Sequence, residues 1–421
     1  RHYEAVQQFL QVVYDNGYIE LGTYEGLYCV ACEAYYTEEE LVDGCCPIHG
    51  RPVERVTEEN YFFKLSAFED RLLEHYAAHP RAVQPESRRN EVLGFIRGGL
   101  RDFSMSRTSI TWGIPLPWDP KHVTYVWFDA LFNYCTAVGY GADPARFDRF
   151  WPVDYHLVGK DILRFHAVIW PAMLLAAGLP LPKQVFGHGW LLVGGEKMSK
   201  SKLTGIAPHQ ITDHFGSDAF RYYFMRAIPF GQDGSFSWED MSARYTSELA
   251  NDYGNLASRV AAMVGKYFGG VLPEATDHGP AEQAIVDALA ATVASADEKV
   301  CALDFQGGIA AVFDFIKLVN GYLTEQEPWK VAKGEDAASK ARLATILYTA
   351  AESLRAVAVL LNPVMPKSSA ALWDSLGAQA SLGALAEQVV QDAGRWGLLP
   401  AGSTITKGAV LFPRLEEPAA A

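Results

Sequence analysis

From Thr124 to Val193 short apolar runs alternate with helical stretches, and that alternation leaves the chain few folds. Thr124-Tyr125-Val126-Trp127-Phe128-Asp129-Ala130 begins β-rich and turns into a helix through Tyr134. Tyr155-His156-Leu157-Val158 reads as a short buried strand, followed by Gly159-Lys160-Asp161 and a helix over 162–177 with Asp161 as its N-cap. Gln184 to His188 and Trp190 to Val193 are further strands. Parallel strands need crossover connections, so this order predicts an α/β fold with a parallel sheet covered by helices. The series ends in Gly194-Gly195-Glu196-Lys197-Met198-Ser199-Lys200-Ser201. Two glycines free the backbone there, and two lysines three apart, interleaved with serine hydroxyls, offer charge and donors to a polyanion. Most lysine-rich turns are merely solvated loops, so the surrounding chain has to decide.

Upstream, Val6, Phe9, Leu10, Val13 and Tyr14 have helical spacing, and Asn16-Gly17 ends that helix. Ile19 to Tyr28 reads as a strand. Cys29-x-x-Cys32 and Cys46-Pro-Ile-His49 then follow, a spacing at which thiolates and imidazole close a tetrahedral zinc site. Cys45 is a rival third ligand, although Cys46 repeats the two-residue gap of the first pair. A closed four-ligand set favours a structural metal over a catalytic one; the plainer alternative is unrelated thiols and a surface histidine. Residues 60–79 read as strand into helix, and Asn90 to Leu100 as a second helix stopped near Gly98-Gly99. Phe103 to Arg107 looks extended and leads into Trp112-Gly113-Ile114-Pro115-Leu116-Pro117, which its prolines keep non-helical.

After Ser235 the pattern becomes helical throughout. A helix over 237–268 carries Leu249, Tyr253, Leu256, Val260, Met263 and Val264 on one stripe, and others follow at 281–297, 305–324, 336–361 and 367–375. They predict a bundle, with a turn-rich tail from Gly402 to Leu415 that runs back over it. The net charge of −14 excludes a general nucleic-acid surface, so an RNA partner must meet a local patch. Asn255 and Arg259 share a helical face, and Trp329 follows Glu327-Pro328 at a helix start; an amide, a guanidinium and an exposed indole can stack on and read splayed bases. No apolar run reaches bilayer-spanning length by this reading, and six cysteines, four of them clustered, suit metal in a cytoplasmic protein.

Ile162, Phe165, His166, Ile169 and Trp170 fall on one side of their helix, and Trp127, Ala130, Leu131 and Tyr134 on one side of another. Either stripe alone is ordinary core. Together they form an aromatic box, and with Arg107 as a fork for a carboxylate the box suits methionine, whose thioether favours aromatic contacts.

Ser106-Arg107…Trp112-Gly-Ile-Pro-Leu-Pro, Tyr125-Val-Trp-Phe-Asp-Ala-Leu, Gly159-Lys-Asp-Ile-Leu-Arg-Phe-His, Lys197-Met-Ser-Lys-Ser and Asn255-Leu-Ala-Ser-Arg resemble, in this order, the methionyl-tRNA synthetases of class I. The resemblance runs over nearly the whole chain and implies a methionine–tRNA ligase acting on L-methionine, ATP and tRNA(Met), the initiator included, with Mg²⁺ on the leaving pyrophosphate and a structural zinc. It implies that methionine lies among Val126, Trp127, Ala130, Leu131, Tyr134, Ile162, Phe165, His166 and Trp170. Arg107 would orient its carboxylate and Asp161 would bond where amino acid and ATP ribose meet. His188 and Gly189 would line the adenine site, and Lys197 and Lys200 would neutralise the ATP phosphates. Asn255, Arg259 and Trp329 would read the CAU anticodon, and Cys29, Cys32, Cys46 and His49 would hold zinc.

The implied division is the end of the first half of a Rossmann-type catalytic domain at 1–24 and a zinc-bearing connective insert at 25–100. The second half with the lysine loop takes 101–205, a stem-contact region 206–240, a helical anticodon-binding domain 241–402 and a tail 403–421. The histidine-bearing signature that opens the family's nucleotide fold occurs nowhere in these residues, and Arg1 is not an initiator methionine. The expectation is that an N-terminal segment of the same protein supplies that half-fold. Residues 1–421 alone would then form an open-sided pocket and support no methionine-dependent pyrophosphate exchange. A monomer is expected. The rival reading is a catalytically incomplete, tRNA-binding derivative of such an enzyme; the intact lysines and pocket residues argue against it. Class I enzymes for leucine, isoleucine or valine need an editing insert that 25–100 is too short to hold.

Overall fold

The computed structural model describes residues 1–421 except 30–33, 37, 48–49, 194–195, 198–205 and 416–421. The chain forms two compact units, Arg1–His188 and Gly189–Ala421.

In the first unit the strands are β1 (Ile19–Cys29), β2 (Ala34–Tyr36), β3 (Glu54–Phe63), β4 (Val83–Gln84), β5 (Phe103–Ser104), β6 (Ser106–Arg107), β7 (Val123–Thr124), β8 (Tyr155–Gly159) and β9 (Gln184–His188). The helices are α1 (His2–Asp15), α2 (Glu69–Ala78), α3 (Glu86–Arg97), α4 (Val126–Ala137), α5 (Pro144–Phe150) and α6 (Trp170–Ala176). Helix α1 buries Ala5, Val6, Phe9, Leu10 and Val13, the face its periodicity marks, and Phe9 stacks on Phe132 of α4 at 4.1 Å. An antiparallel sheet in the order β2-β1-β3-β5 follows it. β1 and β3 pair from Ile19 opposite Phe63 to Tyr28 opposite Glu54. A second sheet, β4-β9-β8, is parallel, as the strand–helix alternation predicts.

The helix expected over 162–177 runs unbroken from Leu163 to Ala176 but is not α-helical throughout, and Asp161 does not cap it. Asp161 sits inside a 3₁₀ turn, Lys160–Ile162, and a π-helical turn, Phe165–Ile169, precedes α6. Pro171 explains the widening. It has no N–H to give to the carbonyl four residues back, and that carbonyl, of Ala167, instead accepts the Tyr76 hydroxyl at 2.5 Å.

The second unit opens with β10 (Leu191–Val193), which pairs antiparallel with β11 (Glu196–Lys197) and parallel with β12 (Gly234–Ser235). Its helices are α7 (Pro208–Phe215), α8 (Ser217–Arg226), α9 (Trp238–Arg244), α10 (Asn255–Phe268), α11 (Pro280–Cys301), α12 (Phe305–Gln326), α13 (Pro328–Val331), α14 (Ala337–Leu361), α15 (Pro366–Ser375), α16 (Ala378–Leu382) and α17 (Val390–Gly394). A π-helical segment, Tyr245–Gly254, joins α9 to α10. By length and mean hydropathy of 1.4, α14 does meet the measure of a bilayer span, contrary to the reading from sequence. It is instead the bundle's central helix, with 89% of that stretch buried. The tail does return over the bundle: Leu272 N–H donates to Ser403 O, Ile405 N–H to Gly270 O and the Tyr245 hydroxyl to Pro413 O.

Candidate functional site

The two aromatic stripes meet in the first unit. Trp127 of α4 stacks on Phe165 with centroids 3.9 Å apart. The direction of the next contact follows from its surroundings. His166 Nδ1 lies 3.0 Å from the Ile162 carbonyl, which can only accept, so Nδ1 carries the proton. Nε2 is then a lone pair, and the Tyr134 hydroxyl donates to it at 2.8 Å. Behind them Trp170 Nε1–H donates to His156 Nε2 at 3.2 Å, and the Tyr134 and His156 rings are 4.3 Å apart. Burial, with His166 nearby, pushes the His156 pKa down to about 4. Burial also lowers that of His166 against the opposing bond to Ile162, so both imidazoles are neutral near pH 7. Leu131, His166 and Trp170 are buried, Trp127, Ala130, Tyr134, Ile162 and Phe165 half-buried, and Val126 exposed. An uncharged aromatic cluster of this kind disfavours charged side chains and suits a polarizable thioether. His156 was not among the sequence candidates. Its signal was the strand alternation that turns positions 156 and 158 inward in β8.

Tyr134→Phe is expected to lower stability by about 1–3 kcal/mol, because it leaves the buried Nε2 of His166 without its donor. Urea unfolding checks this, and an unchanged midpoint would contradict it.

Arg107 lies buried in β6 with Nη1 donating to Ser104 Oγ (2.9 Å), Ser104 O (3.3 Å) and Ser106 O (2.8 Å). Its guanidinium sits 4.6 Å over the Tyr125 ring. The strand itself is pinned, since Ser106 Oγ accepts Tyr61 N–H at 2.8 Å and contacts His122 Nδ1 at 3.0 Å. Asp161 and His188 stand at the carboxyl ends of neighbouring parallel strands, where open α/β sheets bind ligands; Gly159 is directly opposite His188. A Cβ on Gly159 would approach Asp161 Oδ1 to 2.6 Å, so a side chain there would displace the carboxylate. In the second unit Gly189 has its own packing reason, because a Cβ would lie 2.2 Å from the Gln232 backbone. Lys197 lies on β11 opposite Leu192. Lys200 lies outside the described residues.

Of the expected zinc ligands, Cys32 and His49 also lie outside them. Cys29, at the end of β1, and Cys46 are buried and unbridged, whereas Cys45 is half-buried. Cys46 begins a tight turn, with its N–H on Arg51 O and Gly50 N–H on its own carbonyl, each at 2.8 Å. Among the described residues no group of three or more His, Cys, Asp or Glu could hold a metal ion.

The bundle brings Arg259 of α10 to 6.0 Å over the ring of Trp329, which is 39% exposed at the start of α13. Asn255 is exposed one turn before Arg259. An exposed indole backed by a guanidinium is a stacking platform for unpaired bases.

Family models match along the chain: tRNA synthetases class I (M) over residues 1–55 and 48–261, and the anticodon binding domain of methionyl tRNA ligase over 272–421. A methionine–tRNA ligase of Streptomyces coelicolor is 68% identical over 430 residues, covering 100% of this chain and 80% of that protein. One from Caldanaerobacter subterraneus is 46% identical, and the chain spans 64% of its length, just under two thirds. Among solved structures, Mycobacterium tuberculosis methionyl-tRNA synthetase in complex with methionyl-adenylate matches with a TM-score of 0.91 at 40% identity, covering 98% of this chain and 81% of that one. Its apo form matches with a TM-score of 0.91 at 38% identity, covering 99% and 82%. With a mixed α/β catalytic part and a helical anticodon-binding part, the chain belongs to the methionyl-tRNA synthetases, the class I methionine–tRNA ligases.

Proposed function

We propose that this chain provides the methionine pocket, the lysine loop and the anticodon-reading bundle of an enzyme that activates L-methionine with ATP and transfers it to tRNA(Met), the initiator included. The observation that carries the reading is the box of Trp127, Phe165, Tyr134, His166, His156 and Trp170 with both imidazoles neutral. Methionine's side chain lies in that box against Val126, Ala130, Leu131 and Ile162, and Arg107 takes its carboxylate. The carboxylate attacks the α-phosphorus of ATP and pyrophosphate leaves. Asp161 bonds at the junction of amino acid and ribose, His188 and Gly189 line the adenine, and Lys197 and Lys200 stabilise the charge that grows on the phosphates. Mg²⁺ adds neutralising charge on the pyrophosphate when bound. Methionine-dependent pyrophosphate exchange and charging of tRNA(Met) by the intact protein test the reading, and absence of both would reject it.

In this reading residues 101–205 are the second half of a Rossmann-type domain, 25–100 a connective insert and 206–240 a stem-contact region. The protein acts as a cytoplasmic monomer. Cys29, Cys32, Cys46 and His49 hold a structural zinc; the two described thiols, buried and unbridged, suit that role. Metal analysis should find about one zinc per chain, and light scattering on the same sample a single-chain mass. A metal-free protein with unaltered folding would remove the zinc.

Asn255, Arg259 and Trp329 read the anticodon. Trp329→Ala and Arg259→Ala should each raise the KM for tRNA, since base stacking contributes about 1–3 kcal/mol per base. Methionine binding, measured by calorimetry, should hold. Loss of methionine binding in either variant would mean that the bundle is doing something else.

A further inference from the structure

The chain leaves α12 by a strained step. Glu327 closes that helix at φ 44°, in the left-handed region, and Pro328 and Trp329 begin α13 at once. A residue with a Cβ stays there only when its surroundings hold it. Glu327 itself is held by its own α13, its carbonyl accepting the N–H groups of Lys330 (2.7 Å) and Val331 (3.1 Å) and its carboxylate pairing with Lys330 Nζ at 2.6 Å. The residue before it is held by Arg342 of α14. Its Nη1 donates to Glu282 Oε2 (3.0 Å) and Asp277 O (3.2 Å), and its Nη2 to Glu282 Oε1 (2.8 Å) and Gln326 Oε1 (2.6 Å). Those four bonds use every Nη hydrogen. Glu282, whose side chain is fully buried, also accepts the Tyr322 hydroxyl at 2.5 Å and Gly279 N–H at 2.9 Å. Burial opposes its charge, but the Arg342 fork, the Tyr322 hydroxyl and the Gly279 N–H hold its pKa down to about 2, so the pair is ionised at any ordinary pH. Both Nη groups are thus committed within the protein rather than offered to an RNA phosphate. It ties the segment before α11, the last turn of α12 and α14 to one another. Gln326, the last residue it ties, is three before Trp329.

We propose that Arg342, braced by Glu282, is a positioning residue for RNA recognition. Its bond to Gln326 sets the direction in which the chain leaves α12, and so the angle at which the Trp329 ring meets Arg259 and an incoming base. The inference rests on the reading of Trp329 as a base-stacking residue.

Gln326→Leu keeps the side-chain bulk and removes the acceptor; Gln326→Glu keeps an acceptor. In the intact protein, Gln326→Leu is expected to raise the KM for tRNA(Met) about tenfold, with the charging kcat and pyrophosphate exchange unchanged. Gln326→Glu should stay near the unaltered KM, and adding Gln326→Leu to Trp329→Ala should change nothing further. The clamp is overturned if Gln326→Leu leaves the KM where it was, if kcat and exchange fall together with it, or if its effect multiplies with that of Trp329→Ala. Should Trp329→Ala itself leave the KM unmoved, the reading of Trp329 falls and the clamp's role with it, a pattern distinct from failure of the clamp alone.

Discussion

Lys197→Ala in the intact protein is expected to lower the rate of methionine-dependent pyrophosphate exchange by about 10²–10³-fold, the usual cost of removing one positioned donor from a developing charge. The reason lies in when the charge appears. Negative charge concentrates on the departing pyrophosphate as the methionine carboxylate attacks, so an ammonium placed there acts on the transition state more than on bound substrate. The loss should therefore appear in kcat with little change in the KM for methionine, whose proposed box is built by other residues. The backbone that carries Lys197 is well anchored for this. β11 pairs with β10, and β10 is bonded on its other side through Gly234 N–H to Trp190 O and Phe236 N–H to Leu192 O, both at 3.0 Å. Gly234 packs so closely that a Cβ would lie 2.4 Å from the Ile228 side chain. Lys197→Arg, which keeps charge and changes shape, should fall between the two. Exchange by Lys197→Ala at the unaltered rate would remove Lys197 from the chemistry.

The second large effect is on stability. Arg355→Leu should destabilise the helical unit by about 3–5 kcal/mol, because it leaves a buried carboxylate without its cation. Arg355 and Glu352 are both fully buried in α14, with Nε to Oε1 at 2.9 Å. Arg355 also donates to the carbonyls of Asp392 (2.9 Å), Ala393 (3.3 Å) and Arg395 (2.8 Å). Glu352 accepts the N–H groups of Gly397 (2.9 Å), Leu398 (3.1 Å) and Leu399 (2.9 Å). The pair thus supplies hydrogen bonds that residues 392–399, the end of a short helix (Val390–Gly394) and the turns after it, would otherwise lack. Leucine fills the space but satisfies none of those carbonyls. Urea unfolding followed by circular dichroism measures the change; a loss below about 1 kcal/mol would show that the segment finds other partners.

Neither partner of that pair announces itself in the sequence. Glu352 and Arg355 stand three apart in a helix, which is equally the pattern of a solvated surface pair. The same limit applies in the aromatic box. The residue types at 127, 130, 134, 162, 165, 166 and 170 and their helical spacing mark two stripes, and the family motifs join them. The orientation of the Tyr134–His166 bond depends on the Ile162 carbonyl, which faces His166 Nδ1 at 3.0 Å. Helical spacing runs one helix over 162–177 straight through Pro171; the Tyr76 hydroxyl that donates to the freed carbonyl, ninety-one residues away, leaves no local mark.

By itself the sequence determined the α/β order of the first unit, the long helices after Ser235, the buried faces of α1 and α10, and the motifs that place the chain among methionine–tRNA ligases. These are legible because burial of apolar surface has no direction: a period of two or 3.6 is enough to say which face turns inward. The tertiary structure alone decided the protonated nitrogen of His166, the use of His156, the committed Nη groups of Arg342 and the internal partners of Arg355. Hydrogen bonds require a partner within about 3 Å and in line with the donor. Such partners come from distant parts of the chain, whose meeting no local periodicity records.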